Sequence, residues 1–264
     1  PKFRQEKDNS FVVISEGCDN FCSYCVVPYV RGRLRHRDCK NIIAEIEQNI
    51  KQGIDRVTLL GQNVNAYQFK AVIQDQEIRI SPPPLPSPHW GREYRSRTIV
   101  NFIQLLKLVN DIDGLREFSF VTSHPKDATA GLFQAMADLE KLKKYLHLPF
   151  QSGSNRILEL MKRGYTREHY LHLAKEYRKI VPEGALTTDI IVGFPGESEE
   201  DFRQTLDLMQ DARFNSAYIF KYSPRAAAAA NKLNDDVPKQ EKERRHKIIL
   251  ETQKGISKEL KTKK

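Results

Sequence analysis

The sequence predicts an α/β fold built on parallel strands, and three observations carry that expectation. Apolar runs at 11–16, 55–61, 117–123, 145–150, 186–193 and 216–222 read as short buried strands. Amphipathic stretches at 39–52, 99–110, 128–139, 154–162 with 166–180, and 198–212 fit between them as helices. Six such βα units in series call for crossover helices and a parallel sheet. Periodicity alone does not separate an open sheet from a barrel.

The first strand, Phe11-Val12-Val13-Ile14, empties into Gly17-Cys18-Asp19-Asn20-Phe21-Cys22-Ser23-Tyr24-Cys25. Three cysteines in eight residues, spaced C-x3-C-x2-C, suit a soft metal or an iron–sulfur cluster. Structural zinc wants four protein ligands in two pairs, and no Cys or His pair answers this triplet downstream. A [4Fe–4S] cube on three thiolates leaves one iron for a cofactor or substrate. Cys39, at a helix start, reads as a lone thiol.

After the cysteines, Arg31, Arg33, Arg35 and Arg37 alternate. In extended chain they would line one face, as a phosphate-binding strip or a solvated charge run. The second strand ends in Gly61-Gln62-Asn63-Val64-Asn65, the third in Ser123-His124 and the fourth in Gln151-Ser152. Asp189 lies on the fifth strand, followed by Gly193, Gly196 and Glu197. Polar residues at the carboxyl ends of parallel strands face the catalytic mouth of barrel folds. Asn65 could instead serve only to cap its turn. His147 lies inside a strand and reads as a satisfied core histidine.

The helices carry local support. Ser198-Glu199-Glu200-Asp201 offers a capping hydroxyl and first-turn acids. Phe202, Leu206 and Met209 form an apolar stripe, as do Phe102, Leu105, Leu106 and Val109; both predict packing, not chemistry. Residues 68–97 break the rhythm, with Pro82, Pro83, Pro84, Pro86 and Pro88 favouring extended chain. Arg92, Arg95 and Arg97 at its end read as RNA contacts or as a solvated loop. Five alanines, Ala226–Ala230, carry no chemistry. The tail 239–264 is helical in composition and holds ten Lys or Arg against four Glu. Two regions are expected: 1–225, with the insertion at 68–97, and a basic helical extension at 226–264.

Formal net charge is +9 over 264 residues, which suits a polyanion such as RNA. No apolar run approaches the roughly 20 residues of a membrane span. Four cysteines with three clustered read as metal binding in a reducing compartment, not a disulfide framework. A cytoplasmic location is expected.

The cysteine motif with Tyr24 before its last member, Leu59–Tyr67, Thr122-Ser123-His124-Pro125, His147–Ser154 and Thr188–Glu197 occur in order. Together they resemble the radical S-adenosylmethionine (SAM) methylthiotransferases, and Gly-Gln-Asn-Val-Asn points to the branch that modifies tRNA. The resemblance implies a partial (β/α)6 barrel, open on one side. It implies a [4Fe–4S] cluster on Cys18, Cys22 and Cys25, with SAM at the open iron. It places Tyr24, Gln62, Ser123, Gln151, Ser152, Arg163, Asp189, Gly193 and Glu197 around SAM, with Arg163 near its carboxylate and Asp189 suited to ribose hydroxyls. Arg31, Arg33, Asn63, Asn65, Tyr222 and Arg225 are expected on the substrate side.

The implied reaction inserts a methylthio group at C2 of the N6-isopentenyl-adenosine beside the anticodon. Threonylcarbamoyl-adenosine tRNA or a ribosomal protein are alternative substrates, and a metal-stabilised RNA-binding module without turnover is the rival class. The family also uses an electron donor and a second [4Fe–4S] cluster on an amino-terminal domain. That domain and a carboxy-terminal RNA-binding domain are expected to lie outside this chain. Pro-Gly-Thr, usual in the family after Arg225, is replaced here by alanine.

Overall fold

The structure, a computed structural model, describes residues 9–72 and 97–262. Strand β1 (Asn9–Val13) leads through a two-residue strand β2 (Ser15–Glu16) into the cysteine loop. A helical turn α1 (Val27–Val30) and β3 (Arg35–His36), which pairs antiparallel with β2, bring the chain back to α2 (Cys39–Lys51). Then follow β4 (Arg56–Leu60), an antiparallel pair β5 (Gln68–Val72) and β6 (Arg97–Asn101), and α3 (Phe102–Asn110). The rest alternates: β7 (Glu117–Phe120), α4 (Ala130–Asp138), β8 (Tyr145–His147), α5 (Asn155–Leu160), α6 (Arg167–Ile180), β9 (Ala185–Val192), α7 (Glu199–Ala212), β10 (Ser216–Lys221) and α8 (Lys239–Thr262).

The six expected core strands form two parallel three-stranded sheets, β1-β4-β7 and β8-β9-β10. A parallel bridge between Phe118 and Leu142 joins them. Lys143 N–H donates to the Phe118 carbonyl at 2.9 Å, and Phe118 N–H to that of Lys141 at 2.8 Å. The order is therefore that of a partial (β/α)6 barrel, and no strand pairing closes β10 onto β1 among the described residues. The alternation of side chains fixes what faces where. Val12, Leu59, Leu146, Leu186 and Ile190 are buried against the helices. Phe11, Tyr218 and Phe220 stay exposed on the other face, flanking the open side.

One helix differs from expectation. Residues 99–101 belong to β6, and α3 starts only at Phe102. Asn101 and Gln104 form a reciprocal capping box that stops the strand and nucleates the helix. Thr98, Ile99 and Val100 are β-branched and favour strand on its near side. Pro82 to Pro88, Arg92 and Arg95 lie outside the described residues. The Ser198 cap is present as a capping box with Asp201, and both apolar stripes pack in the core. Helix α8 buries Ile249, Gln253 and Ile256, and Gln253 donates to the Phe214 carbonyl at 2.8 Å.

Candidate functional site

The cysteine loop is tied down on several sides. Ser23 N–H donates to the Met161 carbonyl at 3.0 Å and its hydroxyl to that of Leu160 at 2.7 Å, at the end of α5. Ala230 N–H donates to the Ser23 carbonyl at 2.7 Å, so the alanine run braces the loop. Asp19 accepts from Leu34 N–H and Arg33. Gly17, at φ +73°, lets the loop pass the returning chain; a Cβ there would lie 2.2 Å from the Arg33 carbonyl oxygen.

The loop and the carboxyl ends of the strands enclose a cavity of about 270 Å³. Cys18, Cys22, Cys25 and Tyr24 line it from the loop. Gln62 comes from the end of β4, Ser123 and His124 from that of β7, and His147, Gln151 and Arg163 from the β8–α5 region. Asp189 comes from β9. A second cavity of about 280 Å³ shares Tyr24, Gln151 and Asp189 with it and adds Tyr222 and Arg225. Strained backbone gathers here: Phe21, Thr122 and Gln151 all have φ between +47° and +68°. For a β-branched residue such as Thr122 that conformation is costly, and it persists only where the surroundings enforce it.

Four buried side-chain atoms in this cavity lack hydrogen-bond partners: Gln62 Oε1, Ser123 Oγ, His124 Nε2 and Gln151 Oε1. Each such orphan costs on the order of 1–3 kcal/mol, so together they mark a place where a polar ligand satisfies them. Burial, with Arg163 and Lys126 adding to it, drives the His124 pKa down to about 2, so the ring is neutral. His124 Nδ1 accepts from Lys126 N–H at 3.2 Å. The proton therefore sits on Nε2 and points a donor at the cavity. Burial pushes the Cys18 and Cys25 thiols up, so they lose their protons only to a metal that replaces them. Among the described residues no three His, Cys, Asp or Glu side chains converge on a single-ion position. The three thiols instead share a cavity wall, the donor set that a polynuclear cluster with widely spaced sulfurs requires. The residues present fit the cluster and a polar cofactor beside it.

Not every expected residue lies here. Ser152 is fully buried and contacts Thr205 Oγ1 at 3.4 Å, away from the cavity. Gly193 and Glu197 belong to a buried cluster under α8. Glu197 accepts from Gly193 N–H at 2.6 Å and from Arg245 at 2.7 Å. A Cβ at Gly193 would lie 2.3 Å from Lys242 Cγ. Asn65 clasps the His124 backbone, donating to its carbonyl at 3.0 Å and accepting from its N–H at 2.9 Å. Asn63 donates to Asp127 at 2.7 Å. Both asparagines thus join the loops after β4 and β7.

The arginine strip is not one face. Arg31 ends the α1 turn, and Arg33 and Arg35 are exposed beside Asp19 and Glu16. Arg37 turns inward to the Val13 carbonyl and Glu45. Only Arg35–His36 is extended as a strand, so the alternation never develops.

Sequence reasoning set aside His147, which does line the cavity. Its Nε2 stands 3.3 Å from Asp189 Oδ1, and its Nδ1 3.0 Å from Thr187 Oγ1. The signal was available: Leu146 and Leu148 flank it and face the helices, so period 2 puts His147 on the inner face. Tyr165 was also missed. It anchors Arg163 through a 3.0 Å bond from Nε and donates to the Phe150 carbonyl at 2.8 Å.

A cysteine triplet at the mouth of a half-barrel, beside orphaned polar atoms, defines a cluster-and-cofactor domain. The radical SAM superfamily model matches residues 12–209, and the chain belongs to that superfamily. It is 46% identical over 257 residues to the tRNA-2-methylthio-N(6)-dimethylallyladenosine synthase of Moorella thermoacetica, covering 97% of this chain and 52% of that protein. With the enzyme of the same name from Acetivibrio thermocellus it shares 45%, covering 97% and 48%. The chain thus spans about half the length of these relatives. Among solved structures, coproporphyrinogen III oxidase from Escherichia coli, a radical SAM enzyme, aligns with TM-score 0.59 at 16% identity, over 94% of this chain and 52% of that one. A radical SAM methyltransferase from Kitasatospora setae, with cobalamin and a [4Fe–4S] cluster bound, aligns with TM-score 0.58 at 16% identity, over 80% and 36%. These two share the fold.

Proposed function

We propose that this chain is the radical-generating domain of a tRNA methylthiotransferase that acts at C2 of an N6-dimethylallyl (isopentenyl) adenosine. The carrying observation is the cysteine-lined cavity with its four orphaned polar atoms. The names of relatives at 45–46% identity direct it to this substrate.

Cys18, Cys22 and Cys25 would hold the [4Fe–4S] cluster. Gln62, Ser123, His124 and Gln151 would meet the polar groups of SAM. Asp189, oriented by His147, would accept from ribose hydroxyls, and Tyr24 would lie against the cofactor. When bound, the cluster and SAM supply a carbon radical able to abstract a hydrogen atom from substrate. The chain's own residues position the cofactor and keep water out, which limits side reactions. Tyr222 and Arg225, on the neighbouring cavity, are assigned to the substrate side, with Arg31 and Arg33 as exposed cations near the cysteine loop.

Beyond this triplet the sequence has a single cysteine, Cys39, so we assign the sulfur-donating second cluster to a different part of the protein. An external one-electron donor and a reducing compartment complete the proposal. Among the described residues no helix is long and apolar enough to cross a membrane.

The test is anaerobic reconstitution with iron and sulfide, followed by reductant and SAM. A cluster-loaded sample should release 5′-deoxyadenosine; one that releases none overturns the enzyme reading in favour of a binding module. Mass spectrometry of tRNA and ribosomal proteins from cells lacking the gene separates the dimethylallyl substrate from threonylcarbamoyl-adenosine or a ribosomal protein.

A further inference from the structure

Two exposed apolar side chains, Tyr29 at 51% and Val30 at 66%, stand on α1 just after Cys25. Apolar side chains left open side by side next to a cavity point to something that covers them. Val27, on the same turn, and Asn20 line the cysteine-lined cavity, so the patch lies on its rim. The Phe21 ring meets that of Tyr29 edge to face, with centroids 6.0 Å apart and planes at 82°. The Arg33 guanidinium lies 5.1 Å from the centroid of the Phe21 ring. An aromatic pair with a cation against it is thus assembled by the cysteine loop and the chain returning from it.

The cations around the patch are loosely held. Arg31 is exposed, and among the described residues its side chain makes no hydrogen bond or ion pair. Arg33 and Arg35 pair with Asp19 and Glu16 at 3.3 and 3.4 Å, with both pairs largely open to solvent. Exposed pairs of this kind contribute little, so each arginine is able to exchange its carboxylate for a phosphate oxygen. Ring faces interleaved with such arginines are the chemistry that binds unpaired nucleotides: bases stack on the rings and phosphates meet the guanidinium groups. A protein partner would call for a patch poorer in charge at its centre.

We propose that Tyr29 is a stacking platform for an unpaired nucleotide of the RNA substrate, the one beside the nucleotide that enters the cavity, with Arg31 and Arg33 on the adjoining phosphates. This deepens the tRNA reading above and rests on it. A base that is to react must leave its stack, and its neighbour then loses a stacking partner. A tyrosine on the rim supplies a replacement face, and the contact with Phe21 steadies its ring. Paired RNA offers no free base face, so the platform selects loop over stem.

The experiment uses the full-length, cluster-loaded protein and two synthetic RNAs with equal numbers of phosphates, a stem-loop with unpaired loop bases and a plain duplex. Fluorescence anisotropy over a range of salt gives the affinity for each. Circular dichroism and iron content check that every variant is folded and loaded. Tyr29→Ala should weaken stem-loop binding about tenfold and leave duplex binding unchanged; Tyr29→Gln takes its place should the alanine variant fail to fold. Tyr29→Phe, which keeps the ring, should bind like the unsubstituted protein. Arg31→Gln should weaken both RNAs alike and reduce the salt slope by about one. Full affinity of Tyr29→Ala for the stem-loop, or an equal loss on the duplex, overturns the proposal. So does a Tyr29→Ala protein that keeps its RNA affinity but unfolds at lower temperature, since the patch would then pack against the rest of the full-length protein. The enzyme reading fails separately. A wild type that releases 5′-deoxyadenosine but binds neither RNA overturns the platform and leaves the radical chemistry. One that shows the Tyr29 pattern but releases none supports the platform and removes the enzyme.

Discussion

Arg163 and Arg245 are both buried, at 4% and 5% exposed, yet their surroundings differ in kind. Arg245 sits among carboxylates. It donates to Glu197 at 2.7 Å, to Glu241 at 2.7 Å and to the Glu197 carbonyl at 2.9 Å. It straps α8 to the loop after β9, and its charge is neutralised within the fold. Arg163 has oxygen dipoles and one sulfur around it, and a cavity with orphaned atoms in front. A buried guanidinium that the protein neutralises is structural; one left for an incoming anion belongs to the site.

Four experiments bear on that division. The largest effect is expected from Cys22→Ala, which removes Arg163's sulfur and one cluster ligand. Iron content after reconstitution and 5′-deoxyadenosine release should both fall to background, while circular dichroism stays native. Next comes Arg245→Met, which leaves Glu197 buried and uncompensated. Breaking such a pair costs about 3–5 kcal/mol, readable by urea unfolding, with iron uptake kept in the folded fraction. Loss of iron uptake there would dissolve the contrast between the two arginines.

The third is the acid limb. Burial pushes Asp201 up, but hydrogen bonds from Arg156, Ser154 and Ser198 outweigh it and hold it well below the usual carboxylate range. Arg244 and Arg245, against some desolvation, bring Glu241 down to about 2. Depressed carboxylates stabilise above their unfolded values, roughly 3.9 and 4.3, and that contribution is lost as pH falls through the folded ones. The unfolding midpoint should therefore drop between about pH 5 and pH 2. Burial raises Glu197 instead, so its contribution is greatest at low pH and declines as pH rises through its folded value. Asp201→Asn should flatten the acid limb and cost about 2 kcal/mol at neutral pH. An unchanged limb would show that Asp201 is not held ionised by Arg156, Ser154 and Ser198 as described.

The smallest effect is expected from Asn65→Ala. It cuts both bonds to the His124 backbone, at about 1 kcal/mol. It should weaken SAM binding to the reconstituted protein more than it weakens the fold, because His124 presents its Nε2 donor from that loop.

Much of the fold is legible in the amino-acid sequence. Strands come out within a few residues, because each carries a short apolar run whose buried members, Val12 and Ile14, Val57 and Leu59, Leu146 and Leu148, Ile190 and Val192, fall two apart. The helix start at Ser198 follows from local capping. The apolar stripe alone misplaces the start of α3, because the Asn101–Gln104 capping box, and not the stripe, fixes where the helix begins. Cys18, Cys22 and Cys25 could be assembled from spacing alone, since eight residues of loop cannot separate them far. Ser152, Gly193 and Glu197 could not be sorted from Gln151 and Asp189 in the same way. A single peptide step moves a side chain from the mouth of a strand to the layer beneath the helices.

The amino-acid order by itself set the α/β alternation, the parallel sheet and the cysteine triplet, because these depend on period and on contacts a few residues long. Only the tertiary structure decided that Arg163 faces Cys22 across 141 residues, that Arg245 closes on Glu197 across 48, and that the inward-facing His147 meets Asp189 at 3.3 Å. Those pairings depend on where strands from distant parts of the chain end relative to one another. That is settled by packing the whole barrel, and no local pattern encodes it.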